Sequence, residues 1–105
     1  MIKKYNKILE KVKQNGLNLK YATNQLQNDK EIVLQAVKQN GLSLQYASKE
    51  LQNDKDIVLQ AVKQNHASLI FASNQLQNDI DILPIIYPDL YQIDNYINLI
   101  NEKSK

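Results

Sequence analysis

Cysteine, tryptophan and arginine are absent from this 105-residue chain. Without cysteine the chain has no disulfide, no thiolate nucleophile and no sulfur ligand for zinc. Two glycines and two prolines are too few for the many tight turns of an all-β protein or for a flexible linker. A glycine-rich phosphate loop is also missing, and the single histidine has no partner in the sequence for catalysis. We therefore expect a protein that is not an enzyme and that carries no cofactor and no metal.

Long apolar stretches are missing as well. No run of apolar residues approaches the length that crosses a bilayer. The N-terminal residues Met-Ile-Lys-Lys-Tyr-Asn-Lys are charged and lack the apolar core of a secretory signal. We therefore expect a cytoplasmic protein that makes no contact with membranes.

The net charge of +2 is unevenly distributed along the chain. Residues 1–25 carry six Lys and one Glu, whereas residues 76–105 carry two Lys and five acidic residues. In an elongated protein this pattern makes one end basic and the other acidic. We therefore expect a monomer or a weak head-to-tail oligomer.

A 25-residue repeat is the strongest feature that the sequence does contain. Aligning 29–53 with 54–78 gives 18 identical positions out of 25, and aligning 4–28 with 29–53 gives 13. Such recurrence is typical of stacked supersecondary units. The prediction is an all-α fold in one domain, 1–105: an α-hairpin solenoid of three two-helix repeats, 4–28, 29–53 and 54–78, with a divergent C-terminal helical cap, 79–105.

Each unit is predicted to contain two short helices, which gives seven or eight in the whole chain. Asp29 fits an N-cap, because its carboxylate can accept hydrogen bonds from free N–H groups of the first turn. Gly41 is expected to end that helix in the left-handed conformation, and Ser43 to cap the second helix. Residues at helical spacing supply the core, among them Ile32, Val33, Ala36, Val37, Leu44, Ala47 and Leu51.

The two ends depart from the pattern. Lys7 and Lys11 occupy positions that are Ile and Ala in later units, as expected of a terminal repeat with a polar outer face. Asp79 is predicted to open a first helix that Pro84 and Pro88 interrupt. A last helix is predicted to follow Asp89, with apolar residues Leu90, Ile93, Ile97 and Ile100 at helical spacing.

The repeat pattern resembles a known family. The motif begins with Asp-Lys-Glu-Ile-Val-Leu-Gln-Ala-Val-Lys-Gln-Asn-Gly (29–41) and continues with Leu-Gln-Tyr-Ala-Ser-Lys-Glu-Leu-Gln-Asn-Asp (44–54). It resembles the tandem α-helical repeats catalogued as domain of unknown function 4116. The resemblance covers about residues 8–83 and implies a helical architecture, without an activity.

Two recurring charged columns have alternative interpretations. Lys13, Lys38 and Lys63 recur at one position of the repeat. Either they form a row of ammonium groups that binds a phosphate backbone, or they are solvated side chains in the last helical turn, where a cation interacts favourably with the helix dipole. Arginine, whose planar guanidinium binds phosphate through two hydrogen bonds, is absent, and this favours the second interpretation. The Asp columns are similarly better explained as helix caps than as paired catalytic carboxylates or metal ligands.

Functional residues are most expected where the copies differ. Lys20, Gln45 and Ile70 share a column that changes from polar to apolar, and Lys49 stands where the other copies have Asn. His66 replaces the glycine of its sister repeats and is expected to adopt the same left-handed turn. Tyr87 and Tyr91 lie beside the prolines, where they either pack over the core or anchor a partner.

These observations predict a protein-binding module: an adaptor, a scaffold piece or an inhibitor of a larger protein such as a host defence nuclease. The alternative from another class is a nucleic-acid-binding repeat that uses Lys13, Lys38 and Lys63. The small size, the lack of catalytic groups and the polar Lys/Gln/Asn-rich surface motivate the inhibitor hypothesis. The modest basic charge, the nearby acidic columns and the absence of arginine rank the nucleic-acid hypothesis below protein binding. The partner itself is not identified by the sequence.

Overall fold

Three kinds of helical segment alternate along the chain. A computed structural model describes residues 2–89, and these residues form helices and turns without any β-strand. This order, a long α-helix, a six-residue 3-10 helix and a one-turn α-helix, occurs three times in these residues and is followed by a further short α-helix. The segments are α1 Ile2–Gln14, η1 Gly16–Tyr21, α2 Asn24–Gln27, α3 Lys30–Gln39, η2 Gly41–Tyr46, α4 Lys49–Gln52, α5 Lys55–Gln64, η3 His66–Phe71, α6 Asn74–Gln77 and α7 Leu83–Ile86.

The predicted second helix of each unit is in fact two segments. The buried residues Gly41, Leu44 and Ala47 are spaced three apart, and a 3-10 helix, with three residues per turn, places them on one side. Ala47 and Ser48 then adopt extended backbone angles that separate η2 from α4. The prediction of two helices per unit, and of seven or eight overall, is therefore wrong, because residues 2–89 alone contain ten helical segments.

The helix starts follow capping chemistry. The Asp29 carboxylate accepts a hydrogen bond from the Ile32 N–H at 3.0 Å, which confirms the predicted N-cap of α3. Ser43 is not a cap, and its hydroxyl is fully buried inside η2. The cap of α4 is Ser48, whose hydroxyl accepts a hydrogen bond from the Leu51 N–H at 3.2 Å.

The glycines are required by close packing rather than by a left-handed turn. No residue in the part of the chain that the structure describes has a positive φ, so the left-handed conformation predicted for Gly41 and His66 is wrong. A Cβ on Gly41 would lie closer than 3.0 Å to the Ala61 carbonyl oxygen, and one on Gly16 would meet the Ala36 oxygen in the same way. Glycine therefore lets η1 and η2 touch the long helix of the next unit.

Equivalent helices lie side by side. The long helix α3 contacts α1 and α5, and the 3-10 helix η2 contacts η1 and η3. Apolar columns are buried between them, because one unit cannot cover its own apolar face. The core contains Val12, Leu19, Ile32, Val33, Ala36, Val37, Leu44, Ala47, Leu51, Ile57, Val58, Ala61, Val62, Ala72, Leu76 and Ile82.

The fourth unit does not open with a helix at Asp79, contrary to the prediction. Residues 79–82 form a turn, and α7 begins at Leu83 with Pro84 in its first turn, where the missing N–H has no helical partner to lose. The helix ends at Ile86, directly before Tyr87, in agreement with the expected effect of Pro88. The helix predicted beyond Asp89 lies outside the described residues.

Candidate binding surfaces

Recurring glutamines join the long helices to the preceding 3-10 helices. Gln39 Oε1 accepts a hydrogen bond of 2.6 Å from the Gly16 N–H. One unit later, Gln64 Oε1 accepts the equivalent bond of 2.5 Å from the Gly41 N–H. This recurring column therefore satisfies backbone groups at the junction between units and is not a candidate for recognition of a partner.

The one-turn helices are joined through their capping serines. The Ser48 N–H donates to the Gln27 carbonyl oxygen at 2.9 Å, and the Ser48 hydroxyl donates to Asn28 Oδ1 at 2.5 Å. Ser73 repeats both bonds one unit later with Gln52 and Asn53. The recurring Gln, Asn and Ser columns are thus structural, which is why recurrence alone does not point to a binding site.

Ion pairs also link one unit to the next. Lys30 Nζ lies 3.0 Å from Asp54 Oδ2 and 3.3 Å from Asp56 Oδ2. Asp54 also caps α5, because its other oxygen accepts the Ile57 N–H. The same arrangement joins Lys55 to Asp79 and Asp81. Sequence reasoning identified the caps but missed the lysines, although their recurrence 26 residues before an acidic residue was a usable signal.

These contacts shift the pKa values of the groups involved. Hydrogen bonds to Asp54 and Asp56 raise the pKa of Lys30. Partial burial raises the pKa of Asp54, but hydrogen bonds from Lys30 and the Ile57 N–H outweigh it, so this pKa is lowered overall. Tyr5 occupies the Lys30 column in the first unit and donates to Glu31 at 2.9 Å, which raises the pKa of Tyr5 to about 12.

The stacked 3-10 helices expose the variable column predicted from the sequence. Lys20, Gln45 and Ile70 are all exposed, and we refer to them as the 3-10 surface. They occupy equivalent positions on η1, η2 and η3, and neighbouring 3-10 helices touch. Ile70 is 71% exposed, an unusual position for a large aliphatic side chain. Lys20 Nζ lies 4.9 Å from the centroid of the Tyr21 ring, a cation–π distance.

The Lys13, Lys38 and Lys63 column lies on the last turns of α1, α3 and α5. All three side chains are exposed. Within residues 2–89, none of them forms an ion pair, in contrast to Lys30 and Lys55. Their position fits the favourable interaction of a cation with a helix C-terminus and leaves the ammonium groups accessible to an anion.

The other predicted residues do not converge on one site. His66 is exposed at the start of η3, and Lys49 is exposed at the start of α4. Tyr87 is 53% exposed directly after α7. Tyr91 lies outside the described residues. These side chains lie on or beside three different helical segments, η3, α4 and α7.

A groove on the first unit was not recognised as a site from the sequence. It lies between α1 and the η1–α2 segment, and we call it the N-terminal groove. Its lining contains Lys4, Lys7, Ile8, Lys11, Tyr21, Thr23 and Leu26. The lysines that replace Ile and Ala in the repeat pattern were the available signal for it.

Over residues 2–89, no group of three or more His, Cys, Asp or Glu side chains is arranged to hold a metal ion. In the same part of the chain, no helix has both the length and the apolar character needed to cross a membrane.

The repeat motif assigns the chain to a family. The family model described as Domain of unknown function (DUF4116) matches residues 6–52 and 54–83. The chain belongs to this family. The DUF4116 matches begin within α1 and end at Leu83, the first residue of α7. No curated protein and no solved structure matches the chain.

Proposed function

We propose that this DUF4116 chain is a non-enzymatic protein-binding module, built as a helical solenoid of three 25-residue repeats with a divergent C-terminal cap. The recurrence of α, 3-10 and short α segments supports the solenoid. The side-by-side contacts of α1 with α3 and of α3 with α5 support it too. In this architecture each unit contacts its neighbours and leaves an outer surface available.

The observation that carries the proposal is the 3-10 surface. Recurring Gln, Asn, Ser and Asp columns are occupied by contacts between units, whereas Lys20, Gln45 and Ile70 are exposed and differ between copies. Differences at an exposed column alter what the surface recognises without altering the stack. An exposed aliphatic residue beside polar neighbours fits the centre of a modest protein interface. The module would act as an adaptor, a scaffold or an inhibitor.

The test uses two isoleucines of similar exposure. Ile70 is 71% exposed on the 3-10 surface, and Ile80 is 74% exposed in the turn before α7. Wild type, Ile70→Lys and Ile80→Lys are used as baits in extracts of the cells that encode the chain, with quantitative mass spectrometry of bound proteins. A partner retained by wild type and Ile80→Lys but lost with Ile70→Lys supports the proposal. Equal retention by all three baits contradicts it.

A second candidate function rests on the unpaired lysine column. Lys13, Lys38 and Lys63 are exposed and form no ion pair within the described residues. A row of accessible ammonium groups is the arrangement that follows a phosphate backbone, and such binding weakens steeply with salt. Recognition in that case would be electrostatic rather than base-specific, because lysine lacks the planar fork of arginine.

Fluorescence anisotropy with single-stranded RNA and duplex DNA distinguishes the two functions. The triple variant Lys13→Glu/Lys38→Glu/Lys63→Glu is compared with Lys3→Glu/Lys20→Glu/Lys49→Glu, which has the same net charge. Nucleic-acid binding through the column requires affinity that falls with salt and is lost in the first variant only. Equal loss in both variants would indicate a non-specific charge effect, and no binding at low salt would remove this candidate.

A further inference from the structure

The first unit leaves uncovered an apolar face that later units bury. Ile8 is half-buried, whereas Val33 and Val58, at the equivalent positions, are 0% exposed. Leu26 is also half-buried, while its equivalents Leu51 and Leu76 are 6% and 5% exposed. Within the described residues, no preceding unit lies against this side. The base of the N-terminal groove is therefore formed by apolar side chains whose equivalents in later units are buried against a neighbouring unit.

Lysines replace the residues that would receive another repeat. Lys4 occupies the column of the capping carboxylates Asp29 and Asp54, and Lys7 occupies the column of the fully buried Ile32. Internal units contact one another partly through the ion pair of Lys30 with Asp54. Lys4 stands in the Asp54 column and would repel the lysine of a preceding unit. The groove therefore disfavours a further unit of the same kind and favours negative charge.

Two hydrogen-bonding groups of the first unit also match those used between units. Ser48 N–H donates to a preceding carbonyl, and Gln39 Oε1 accepts from a preceding N–H. Thr23 and Gln14 occupy the same columns in the first unit. Neither the Thr23 N–H nor Gln14 Oε1 makes the equivalent bond within residues 2–89. Of these two residues, Thr23 lines the groove, so its N–H is available to the backbone of an incoming peptide.

We propose that the N-terminal groove binds an acidic amphipathic segment of a partner protein. Apolar side chains of that segment pack on Ile8 and Leu26, its carboxylates face Lys7 and Lys11, and its backbone bonds to the Thr23 N–H. This site is separate from the 3-10 surface and goes beyond the proposed function. A second copy is a poorer occupant than a dedicated acidic partner, because two of the five acidic residues in 76–105, Asp79 and Asp81, are already paired with Lys55.

The probe is a fluorescein-labelled synthetic peptide with a stripe of Leu along one helical face and Glu elsewhere. A control peptide has the same composition in an order that disperses the Leu residues. Binding to the full chain is measured by fluorescence anisotropy at low and moderate salt, and the site is mapped by amide chemical-shift changes. We expect saturable binding of the striped peptide, with shifts at Ile8, Thr23 and Leu26.

The decisive comparison is between two double variants of equal charge. Lys7→Glu/Lys11→Glu should weaken binding about tenfold, since two favourable contacts become repulsive. Lys38→Glu/Lys63→Glu should leave the affinity for the peptide nearly unchanged.

Four results would each overturn the proposal. They are equal weakening by both double variants, equal binding of the striped and control peptides, chemical-shift changes outside the groove, and no peptide binding at all. Salt-sensitive self-association in sedimentation, lost in Lys7→Glu/Lys11→Glu, would also overturn it by making a second copy the occupant. Ile70→Lys should bind the peptide normally, so this test and that of the 3-10 surface can fail separately.

Discussion

Gln39 Oε1 lies 2.6 Å from the backbone nitrogen of Gly16, a residue 23 positions earlier in the chain. The long helix of one unit thereby satisfies the first N–H of the preceding 3-10 helix. The same two columns meet again at Gln64 and Gly41. These two junctions thus combine a close backbone approach, which needs glycine, with a side-chain acceptor that satisfies the glycine N–H.

Removing that acceptor should destabilise the fold. In Gln39→Leu the partly buried Gly16 N–H loses its partner, and we expect a loss of about 1–3 kcal/mol in the free energy of unfolding. Gln14→Leu is the matched control, because Gln14 makes no equivalent bond within the described residues, and its effect should stay below about 0.5 kcal/mol. Urea denaturation followed by circular dichroism measures both. Equal losses would argue against the junction bond.

Adding a methyl group at the junction should also be costly. Gly41→Ala drives a Cβ into the Ala61 carbonyl oxygen, and such overpacking costs about 1–3 kcal/mol. His66 stands in the same column but is exposed, so His66→Ala should change the free energy of unfolding by less than about 0.5 kcal/mol. Thermal and urea unfolding test the pair. A Gly41→Ala protein as stable as wild type would contradict the close-packing explanation.

Acid should weaken the junctions through their aspartates. The folded-state pKa values of Asp54 and Asp79 are lowered, so their contribution to stability is present above the unfolded pKa of about 3.9 and is lost as pH falls through the lower folded values. We therefore expect the urea concentration at the unfolding midpoint to decrease when the pH is lowered below about 4. Asp54→Asn retains a capping side chain and should reduce this pH dependence, which repeated urea titrations would reveal. An unchanged pH profile in Asp54→Asn would contradict the assignment.

Tyr5 should ionise at a higher pH than an ordinary tyrosine. Its hydrogen bond to Glu31 raises its pKa to about 12, above the ordinary value of about 10. Because the folded pKa is the higher one, the stabilising contribution is complete below about pH 10 and is lost as pH rises through about 12. Tyrosinate absorbance in wild type and in Tyr5→Phe isolates this group. In Glu31→Gln the titration should move back toward pH 10, and a titration unaffected by that substitution would contradict the contact.

Much of the fold follows from local chemistry and was predictable. Asp29 caps its helix because a short carboxylate before an apolar helical run has few other roles. Ile32, Val33, Ala36 and Val37 are fully buried because their spacing places them on one helical face. The exposed 3-10 surface was predictable as a variable column, although its binding role remains a proposal.

The failures share a different cause. Ser43 resembled a cap and Gly41 resembled a left-handed terminator, yet both are buried between units. Ser43 lies next to Gly16 of the preceding unit, and Gly41 faces Ala61 of the following unit. The spacing of Leu44, Ala47 and Leu51 fitted an α-helix as well as it fitted a 3-10 helix followed by a separate turn. The N-terminal groove was also missed, because its apolar floor is defined by what later units cover.

The sequence by itself determined the 25-residue period, the helical class, the capping aspartates and the core columns, because side-chain polarity and helix periodicity act within a few residues. The tertiary structure alone decided the 3-10 geometry, the role of glycine and the pairing of Lys30 with Asp54. Those features depend on where the backbone of the next unit lies. The absence of cysteine and the scarcity of glycine and proline excluded whole classes of fold, and the two glycines that are present mark places where the backbones of neighbouring units approach closely.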